Sequence, residues 1–339
     1  MRVAVLNRPG EIEVVERADP QPGPEEVRVR VAAVGVCGSD THYFDHGRIG
    51  SFVVESPLVL GHEASGVIDA VGPGVDQSRV GQRVSIEPGV PCRRCEQCLA
   101  GRYNLCPRMR FHATPPIDGS LAELVVTHEA FAHPVPGSVS DEAAALLEPL
   151  SVGIWSARKA HVGVGSRVLV TGAGPIGLVA VQVARAAGAV AITVVDLNDE
   201  RLRVATDLGA TSVVNPSRDD LSGAIAGAAP HALIECTGNA AVTKQGVSAL
   251  APAGRAVLVG MGGDEVALPL SAIQEHELVV TGTFRYANTW PTAIGMVAAG
   301  IVDLDRLVTS RHTLQESAAA LVAGRSDPKG IKAVVSPQR

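Results

Sequence analysis

Four of the six cysteines in the chain are crowded between residues 92 and 106. The first three are separated by two residues each and the last by seven, in the order Cys92, Cys95, Cys98 and Cys106. Four thiolates at such short spacings can converge on one ion, which favours a closed, tetrahedral zinc site with a structural role. Free thiols or two disulfides are the alternative, and the lack of a recognisable secretory signal at the start of the chain argues against disulfides.

Further possible metal donors are dispersed through the first half of the chain. These donors are the sulfur of Cys37, the imidazole nitrogens of His62 and the carboxylate oxygens of Glu63 and Glu148. A catalytic zinc needs three protein ligands and one open position, where it acts as a Lewis acid on an alcohol oxygen. Taken singly, such a cysteine or histidine is more often part of the core than a ligand. That these four residues bind a catalytic zinc is therefore a hypothesis, which depends on the fold bringing them together.

A glycine-rich turn, GAGPIG at residues 172–177, follows an apolar run and precedes a helical pattern, and Asp196 ends the next apolar run. This context indicates a dinucleotide site, because the glycines admit a pyrophosphate at the N-terminus of the helix. Asp196 can accept hydrogen bonds from the ribose hydroxyls, which predicts NAD, although Arg201 can tolerate the 2′-phosphate of NADP. The alternative is a plain turn with a capping aspartate.

The elements that must position these residues differ between two parts of the chain. Up to about residue 150, short alternating segments such as EEVRVRVAAVGV are interrupted by Gly and Pro, which predicts a barrel-like β domain. From about residue 165, apolar strands alternate with helical stretches, which predicts an α/β domain with a doubly wound parallel sheet. Two more helical patterns and a closing strand, KAVVS, follow Trp290.

The composition excludes several classes of protein. The 339 residues include 46% hydrophobic and 19% charged residues, which rules out global disorder. A formal net charge of −6 gives no indication of nucleic acid as a partner. The most apolar long stretch, residues 178–195, is interrupted by Gln182 and Arg185, so we expect no membrane span and a cytoplasmic protein.

In their order along the chain, the three sets of residues resemble those of the zinc-dependent medium-chain alcohol dehydrogenases, over essentially the whole chain. Six segments resemble in particular the branch of sorbitol and xylitol dehydrogenases: CGSDTHYFDHGRIGSFVVESPLVLGHEASG, GRYNLC, FHATPPIDG, EPLSVG, IECTG and FRYANTWP. The resemblance implies a GroES-like β-barrel catalytic domain, residues 1–150 and 286–339, with a structural zinc lobe at about 90–107. It also implies an inserted Rossmann domain, residues 151–285, that binds NAD.

The resemblance further implies a role for individual residues. Cys37, His62 and Glu63 would bind the catalytic zinc together with a water, and Glu148 would hydrogen-bond that water or ligate the metal itself. Ser39 and His42 match the positions of a proton relay. The positions of the polyol pocket are matched by Tyr43, Phe111, Glu148, Arg285 and Tyr286. The positions of the cofactor contacts are matched by Gly172, Gly174, Pro175, Ile176, Gly177, Asp196, Arg201, Val259, Gly260, Met261, Thr283, Phe284 and Arg285.

The implied activity is the reversible, NAD-dependent oxidation of a polyol to a ketose, with two zinc ions per chain, in a homo-oligomer that we expect to be a tetramer. The sixth cysteine, Cys236, is then expected to be buried and to bind no metal, so that carboxylates must complete the catalytic zinc site. Two alternatives stay open. One is the same chemistry on threonine, a butanediol or a cyclitol, and the other is a non-catalytic dinucleotide-binding relative.

Overall fold

Two units with different sheet architectures make up the computed structural model, which describes residues 1–225 and 229–339. The first unit contains Met1–Glu148, Trp290–Ala298 and Asp303–Arg339. The second contains Pro149–Thr289 and Ala299–Val302. Both ends of the chain therefore lie in the first unit.

The strands, in chain order, are β1 (Arg2–Arg8), β2 (Glu11–Glu16), β3 (Glu26–Gly35), β4 (Arg48–Ile49), β5 (Phe52–Val53), β6 (Leu58–Val59), β7 (Glu63–Val71), β8 (Arg83–Ile86), β9 (Gly89–Val90), β10 (Arg110–Phe111), β11 (Leu124–His128), β12 (Ala132–Pro134), β13 (Arg167–Thr171), β14 (Ala191–Val195), β15 (Ser212–Val214), β16 (Ala232–Glu235), β17 (Arg255–Leu258), β18 (Val279–Gly282), β19 (Val308–Thr313) and β20 (Lys332–Ser336). The α-helices are α1 (Gly38–His46), α2 (Glu96–Leu99), α3 (Asp141–Ala145), α4 (Leu147–Lys159), α5 (Pro175–Ala186), α6 (Asp199–Asp207), α7 (Leu221–Ile225), α8 (Ala240–Ser248), α9 (Leu270–Glu275), α10 (Trp290–Ala298) and α11 (Ser317–Ser326).

A seven-stranded sheet in the order β12-β8-β7-β3-β20-β19, with β11 also paired to β3, organises the first unit. The pair of β19 and β20 is parallel, and the other pairs are antiparallel. In β3 the valines at positions 27, 29 and 31 are buried, whereas Arg28 and Arg30 between them are not, as the alternating sequence predicts. The sheet thus has one face toward an apolar core.

That core holds large aliphatic side chains from several strands and loops, among them Leu6, Leu60, Ile68, Ile86 and Leu121, which are all fully buried. Removing each such side chain from water contributes about 1.5–3 kcal/mol. The C-terminal strand β20 adds Val335 to the same core. The burial explains why strands from both ends of the chain form one sheet.

The second unit is built on a parallel sheet of six strands in the order β15-β14-β13-β16-β17-β18. This is the doubly wound sheet that the alternation of strands and helices predicts. The strand order reverses between β13 and β16, and in such sheets ligands bind beyond the carboxyl ends of the strands at the point of reversal. Among the described residues, no helix is long and apolar enough to cross a bilayer.

Candidate metal centres and nucleotide-binding loop

The four clustered cysteines lie between β9 and β10, and their sulfur atoms are all within 4.8 Å of one another. All six cysteines of the chain are free thiols, so the two-disulfide alternative is wrong. Chiefly the backbone N–H of Arg94, with help from the Arg108 guanidinium, lowers the pKa of Cys92 to about 5. Burial and the thiol of Cys95 raise the pKa of Cys98 to about 12. Four soft donors crowded in this way suit a tetrahedral zinc ion, which would hold all of them deprotonated.

A buried carboxylate that the sequence did not single out attaches this cysteine lobe to the sheet. Tyr103, between the third and fourth cysteines, donates its hydroxyl to Glu87 Oε1 at 2.7 Å. The other oxygen of Glu87 lies 2.9 Å from Nε2 of His133, on β12. Glu87 follows β8 directly, so these bonds join the lobe to the end of two neighbouring strands.

The first three dispersed donors are brought together by the register of two strands. In the pairing of β3 with β7, Gly35 lies opposite Glu63. Cys37 follows β3 by two residues and His62 precedes β7 by one, so the register carries them to the same place. Ligand atoms of Cys37, His62 and Glu63 lie within 4.8 Å of one another. A sulfur, an imidazole nitrogen and a carboxylate oxygen at this spacing are a donor set that fits zinc with a further position left open.

Asp40 supports two of these donors and was missed in the sequence. It lies in the first turn of α1, is 1% exposed, and accepts hydrogen bonds from the backbone N–H groups of Cys37 at 3.0 Å and Gly61 at 2.9 Å. Burial would raise the pKa of Asp40, but His62 and the two N–H groups outweigh it and lower that pKa. An acidic residue three positions after a helix N-cap, here Cys37, is a capping signal that could have found it.

Lys332 also supports this cluster and was missed in the sequence, and it comes from the far end of the chain. Its ammonium group donates to both oxygens of Glu63, at 2.7 and 2.9 Å, and to the carbonyl oxygen of Val36 at 2.8 Å. Burial would lower the pKa of Lys332, but the charges of Glu63, Cys37 and Glu148 raise it. A lysine that opens the apolar strand KAVVS was the only local signal.

Glu148 is buried in the first turn of α4. Its charge acts on Lys332, which places it near this cluster. It does not belong to the group of three donors whose ligand atoms lie within 4.8 Å of one another. Its role as a ligand or as a partner of a bound water therefore stays a prediction.

The predicted relay residues and Tyr43 lie on the helix that begins after Cys37, and the predicted pocket residue Phe111 packs against His62. Ser39, His42 and Tyr43 all lie on α1; Ser39 is half-buried, His42 is exposed and Tyr43 is buried. The ring of Phe111 is buried, with its centroid 5.7 Å from that of His62. In the second unit, Arg285 has a left-handed backbone (φ 56°) and Tyr286 is buried.

The glycine-rich turn joins β13 to α5. Gly172 has a φ of 88°, which favours glycine, and a Cβ on Gly177 would lie 1.8 Å from the carbonyl oxygen of Gly172. Gly174 precedes Pro175, the first residue of α5, and has open space where a Cβ would point. Ile176 follows in the first turn and is half-buried. The turn therefore exposes the N-terminus of a helix at the point of strand reversal, where a pyrophosphate can bind.

Asp196 follows β14 and is hydrogen-bonded to the backbone of this turn. Its Oδ2 accepts from the backbone N–H of Ala173 at 2.6 Å, and its Oδ1 accepts from that of Asn198 at 2.8 Å. Each oxygen has a second lone pair that a ribose hydroxyl can use. Arg201 lies half-buried on α6, within the same segment.

The other predicted cofactor contacts lie at the carboxyl ends of β17 and β18. Val259 and Gly260 both donate their backbone N–H to the carbonyl oxygen of Glu235, and the side chain of Met261 is exposed. Thr283 donates its backbone N–H to Leu258. The guanidinium of Arg285 lies 4.6 Å from the ring centroid of Phe284. Cys236, predicted to be buried, is instead half-buried at this edge, and the charge of Glu235 adds to desolvation in raising its pKa.

Comparison with known proteins finds, for both units, the family that the sequence motifs resemble. Residues 23–137 match the model of the alcohol dehydrogenase GroES-like domain, and residues 175–299 match that of zinc-binding dehydrogenases. Sorbitol dehydrogenase of Macaca fascicularis is 44% identical, with 96% of this chain and 92% of the relative covered. Sorbitol dehydrogenase of Bacillus subtilis is 41% identical, with coverages of 100% and 98%.

The solved structures give a similar result. A protein of Escherichia coli CFT073, described as a short chain alcohol dehydrogenase and solved in complex with NADH, is 31% identical. It superposes with a TM-score of 0.93 and covers 99% of both chains. The similarity thus extends across the whole chain.

Proposed function

The chain belongs to the zinc-dependent alcohol dehydrogenase family, and from that premise we propose that it is an NAD-dependent polyol dehydrogenase. It would oxidise a secondary hydroxyl of a sugar alcohol such as sorbitol or xylitol reversibly to the ketose. The observation that carries the proposal is the cluster of Cys37, His62 and Glu63, in which a carboxylate completes a zinc site together with one sulfur and one imidazole. The relatives named sorbitol dehydrogenase support the class of substrate.

Each chain would hold two zinc ions. The four sulfurs of Cys92, Cys95, Cys98 and Cys106 would hold the structural ion. Cys37, His62 and Glu63 would hold the catalytic ion, and Glu148 would act as a fourth donor or hold a water beside it. When bound, that zinc supplies a Lewis acid that makes a neighbouring hydroxyl group more acidic.

The released proton needs a route to solvent, and α1 offers one. Ser39 and His42 are three positions apart on this helix, which places their side chains on neighbouring parts of its surface. Ser39 is half-buried and His42 is exposed, so the pair leads outward. We propose that Ser39 takes the proton from the substrate hydroxyl and passes it to His42.

The substrate would be recognised by side chains suited to several hydroxyl groups. Arg285, Tyr43 and Tyr286 offer hydrogen bonds that a simple alcohol would leave unused, while Phe111 supplies an apolar wall. Glu148 would accept a further hydrogen bond. These groups favour a polyol over a monohydric alcohol, because unused buried polar groups are costly.

NAD would be bound by the parallel-sheet unit. The backbone at Gly172, Gly174, Pro175, Ile176 and Gly177 would bind the pyrophosphate, and Asp196 would accept from the ribose hydroxyls. Arg201 would lie beside the adenosine end, and residues 259–261 and 283–285 would contact the rest of the cofactor. Residues 1–150 and 286–339 are on this proposal the catalytic domain, and residues 151–285 the NAD-binding domain.

We also propose a cytoplasmic homotetramer whose only partner in the reaction is a small molecule. None of the six cysteines is in a disulfide, which supports a reducing compartment, where disulfides rarely persist. Size-exclusion chromatography with light scattering measures the number of chains. A monomer at micromolar concentration would contradict the tetramer.

The activity is tested by following NADH formation with sorbitol, xylitol, galactitol, iditol and inositols, with 2,3-butanediol and threonine as the competing class. Activity on a polyol that disappears with a chelator and returns with zinc is the expected result. Activity confined to butanediol or threonine would favour the same chemistry on another alcohol. A chain that binds one zinc and turns over nothing would be the non-catalytic relative.

A further inference from the structure

The ammonium group of Lys332 lies inside the proposed catalytic metal site and is bound at every hydrogen. It is 3% exposed and donates to Glu63 Oε1, Glu63 Oε2 and the carbonyl oxygen of Val36, at 2.7, 2.9 and 2.8 Å. An ammonium has three donors, so this one has none left. The nitrogen is therefore held in one place, against the carboxylate of a proposed zinc ligand.

The backbone around Glu63 leaves its carboxylate little choice of position. A Cβ on Gly35, which faces Glu63 across the sheet, would lie 2.1 Å from Glu63 Oε2 and 2.9 Å from a methyl carbon of Leu146. Strand β20, which carries Lys332, pairs with β3 at Gly35 through Val334. The carboxylate thus lies over a glycine, with a lysine from the neighbouring strand bound to it.

The acidic groups beside Lys332 explain why the chain has a lysine at this position. Its ammonium lies against both oxygens of the Glu63 carboxylate, and the Cys37 sulfur lies within 4.8 Å of a Glu63 oxygen. Without a cation among them, such buried acidic groups would be uncompensated, which is strongly destabilising. Lys332 supplies a permanent positive charge of the chain itself.

We propose that Lys332 is a positioning residue that tunes how strongly Glu63 binds the catalytic zinc. It holds the carboxylate in place in the metal-free protein, and it competes with the metal for the electron density of both carboxylate oxygens. Glu63 then donates less to the ion, which keeps the ion more acidic and more easily exchanged. The inference rests on the proposed metal site and not on the identity of the substrate.

The test compares Lys332→Met, which keeps an unbranched side chain one atom shorter and removes its charge, with Lys329→Met. Lys329 is exposed and lies three residues earlier in the chain, so it is a matched control. Zinc release is followed against a chelator, with metal content per chain, so that the ion of the four cysteines serves as an internal reference. Thermal unfolding is recorded with and without zinc, and the visible spectrum is recorded after Co²⁺ substitution.

We expect Lys332→Met to retain the more labile zinc about tenfold more tightly, a change of the size that partners of metal ligands produce. Its metal-free form should unfold at a lower temperature, so that zinc raises its Tm more than it raises that of Lys329→Met. The Co²⁺ absorption bands should shift, because Glu63 becomes a stronger donor. Lys332→Arg, which keeps the charge, should return zinc retention toward that of the parent protein.

Three results would overturn the proposal. One is zinc retention in Lys332→Met that is equal to or weaker than that in Lys329→Met, or an equal effect of zinc on the Tm of the two variants. Another is a Lys332→Met chain that fails to fold even with zinc, because the bound ion should then satisfy Glu63. The third is an unchanged Co²⁺ spectrum in Lys332→Met. Because none of these measurements uses a substrate, they stand whether or not the protein oxidises polyols.

Discussion

The carboxylate of Asp40 faces the imidazole of His62 inside the first unit, with Oδ1 3.7 Å from Nδ1. The same oxygen accepts the backbone N–H of Gly61, and Oδ2 accepts that of Cys37. Asp40 is thus connected to both the cysteine and the histidine of the proposed catalytic site. Nδ1 of His62 faces Asp40, which leaves Nε2 as the nitrogen available to a metal.

Replacing Asp40 with Asn should weaken zinc binding by about 10- to 100-fold. The amide group also places a donor against one of the two backbone N–H groups, which should cost about 1–3 kcal/mol of unfolding free energy. Equilibrium dialysis and urea unfolding measure the two effects. Asp45→Asn is the control, because Asp45 lies on the same helix and pairs with Arg325 away from the cluster. Equal zinc affinity in the two variants would contradict the role of Asp40.

Glu148→Gln should reduce turnover on the polyol by about 10- to 100-fold, because the neutral amide is a weaker zinc donor and a weaker acceptor for a zinc-held water. Binding of NAD, measured by fluorescence titration, should change little. Glu142→Gln is a matched control, because Glu142 lies on the preceding helix and pairs with Arg311 at 2.7 Å. Turnover of Glu148→Gln equal to that of Glu142→Gln would remove Glu148 from the mechanism.

Cys98→Ser should remove the structural zinc and lower the metal content from about two ions per chain to about one. The Tm should fall, because the lobe that Tyr103 attaches to Glu87 loses its central ion. Cys236→Ser serves as the control, since Cys236 lies outside the cluster of four. Metal analysis and calorimetry measure both effects. A Cys98→Ser chain that still binds two ions would be inconsistent with the assignment of the four cysteines.

Asp196→Ala should shift the preference of the enzyme from NAD toward NADP, because the carboxylate that repels a 2′-phosphate is removed. The hydrogen bond to the N–H of Ala173 is lost at the same time, so the kcat/KM for NAD should also fall. Asp207→Ala, at the end of the following helix, is the control. The measured quantity is the ratio of kcat/KM for the two cofactors, and an unaltered ratio would contradict the assignment of Asp196 as the residue that selects NAD.

His112 should give the protein a specific sensitivity to acid. Burial is the main reason that its pKa falls from 6.5 to about 4. Between these values the unfolded chain binds a proton that the folded chain does not, so stability should fall as the pH drops from about 6.5 to about 4, by about 3 kcal/mol in total. Urea unfolding of the zinc-loaded protein across this range should show a steeper loss than His112→Gln shows. Identical pH profiles for the two proteins would refute the prediction.

Much of the site could be predicted from the sequence because short motifs carry it. Cys37, His62 and Glu63 stand in recognisable segments, and the four later cysteines have a spacing that itself suggests a metal. The glycine-rich turn at residues 172–177 is recognisable because a strand, a helix and Asp196 surround it. The parallel sheet followed from the alternation of apolar strands and helices, and the family matches confirm the predicted family and fold.

The supporting residues could not be predicted in the same way. Lys332 and Glu63 are 269 residues apart in the chain and meet only because β20 pairs with β3. The link of Glu87 to Tyr103 and His133 likewise depends on how the cysteine lobe lies against the sheet. A local pattern does not specify such pairings, since they are selected by burial in the complete core. Asp40 is the exception, because its position relative to Cys37 is a local capping signal.

The initial rate of NADH formation by the zinc-loaded protein, from xylitol and sorbitol and from 2,3-butanediol and threonine, tests whether a polyol is the substrate. We expect kcat/KM for the better polyol to exceed that for either competitor by at least about 100-fold, because the competitors leave polar groups of the pocket unpaired. We also expect Cys37→Ser, which removes the sulfur donor of the catalytic site, to abolish this rate. A zinc-loaded protein that forms NADH from butanediol or threonine but from no polyol would not be a polyol dehydrogenase.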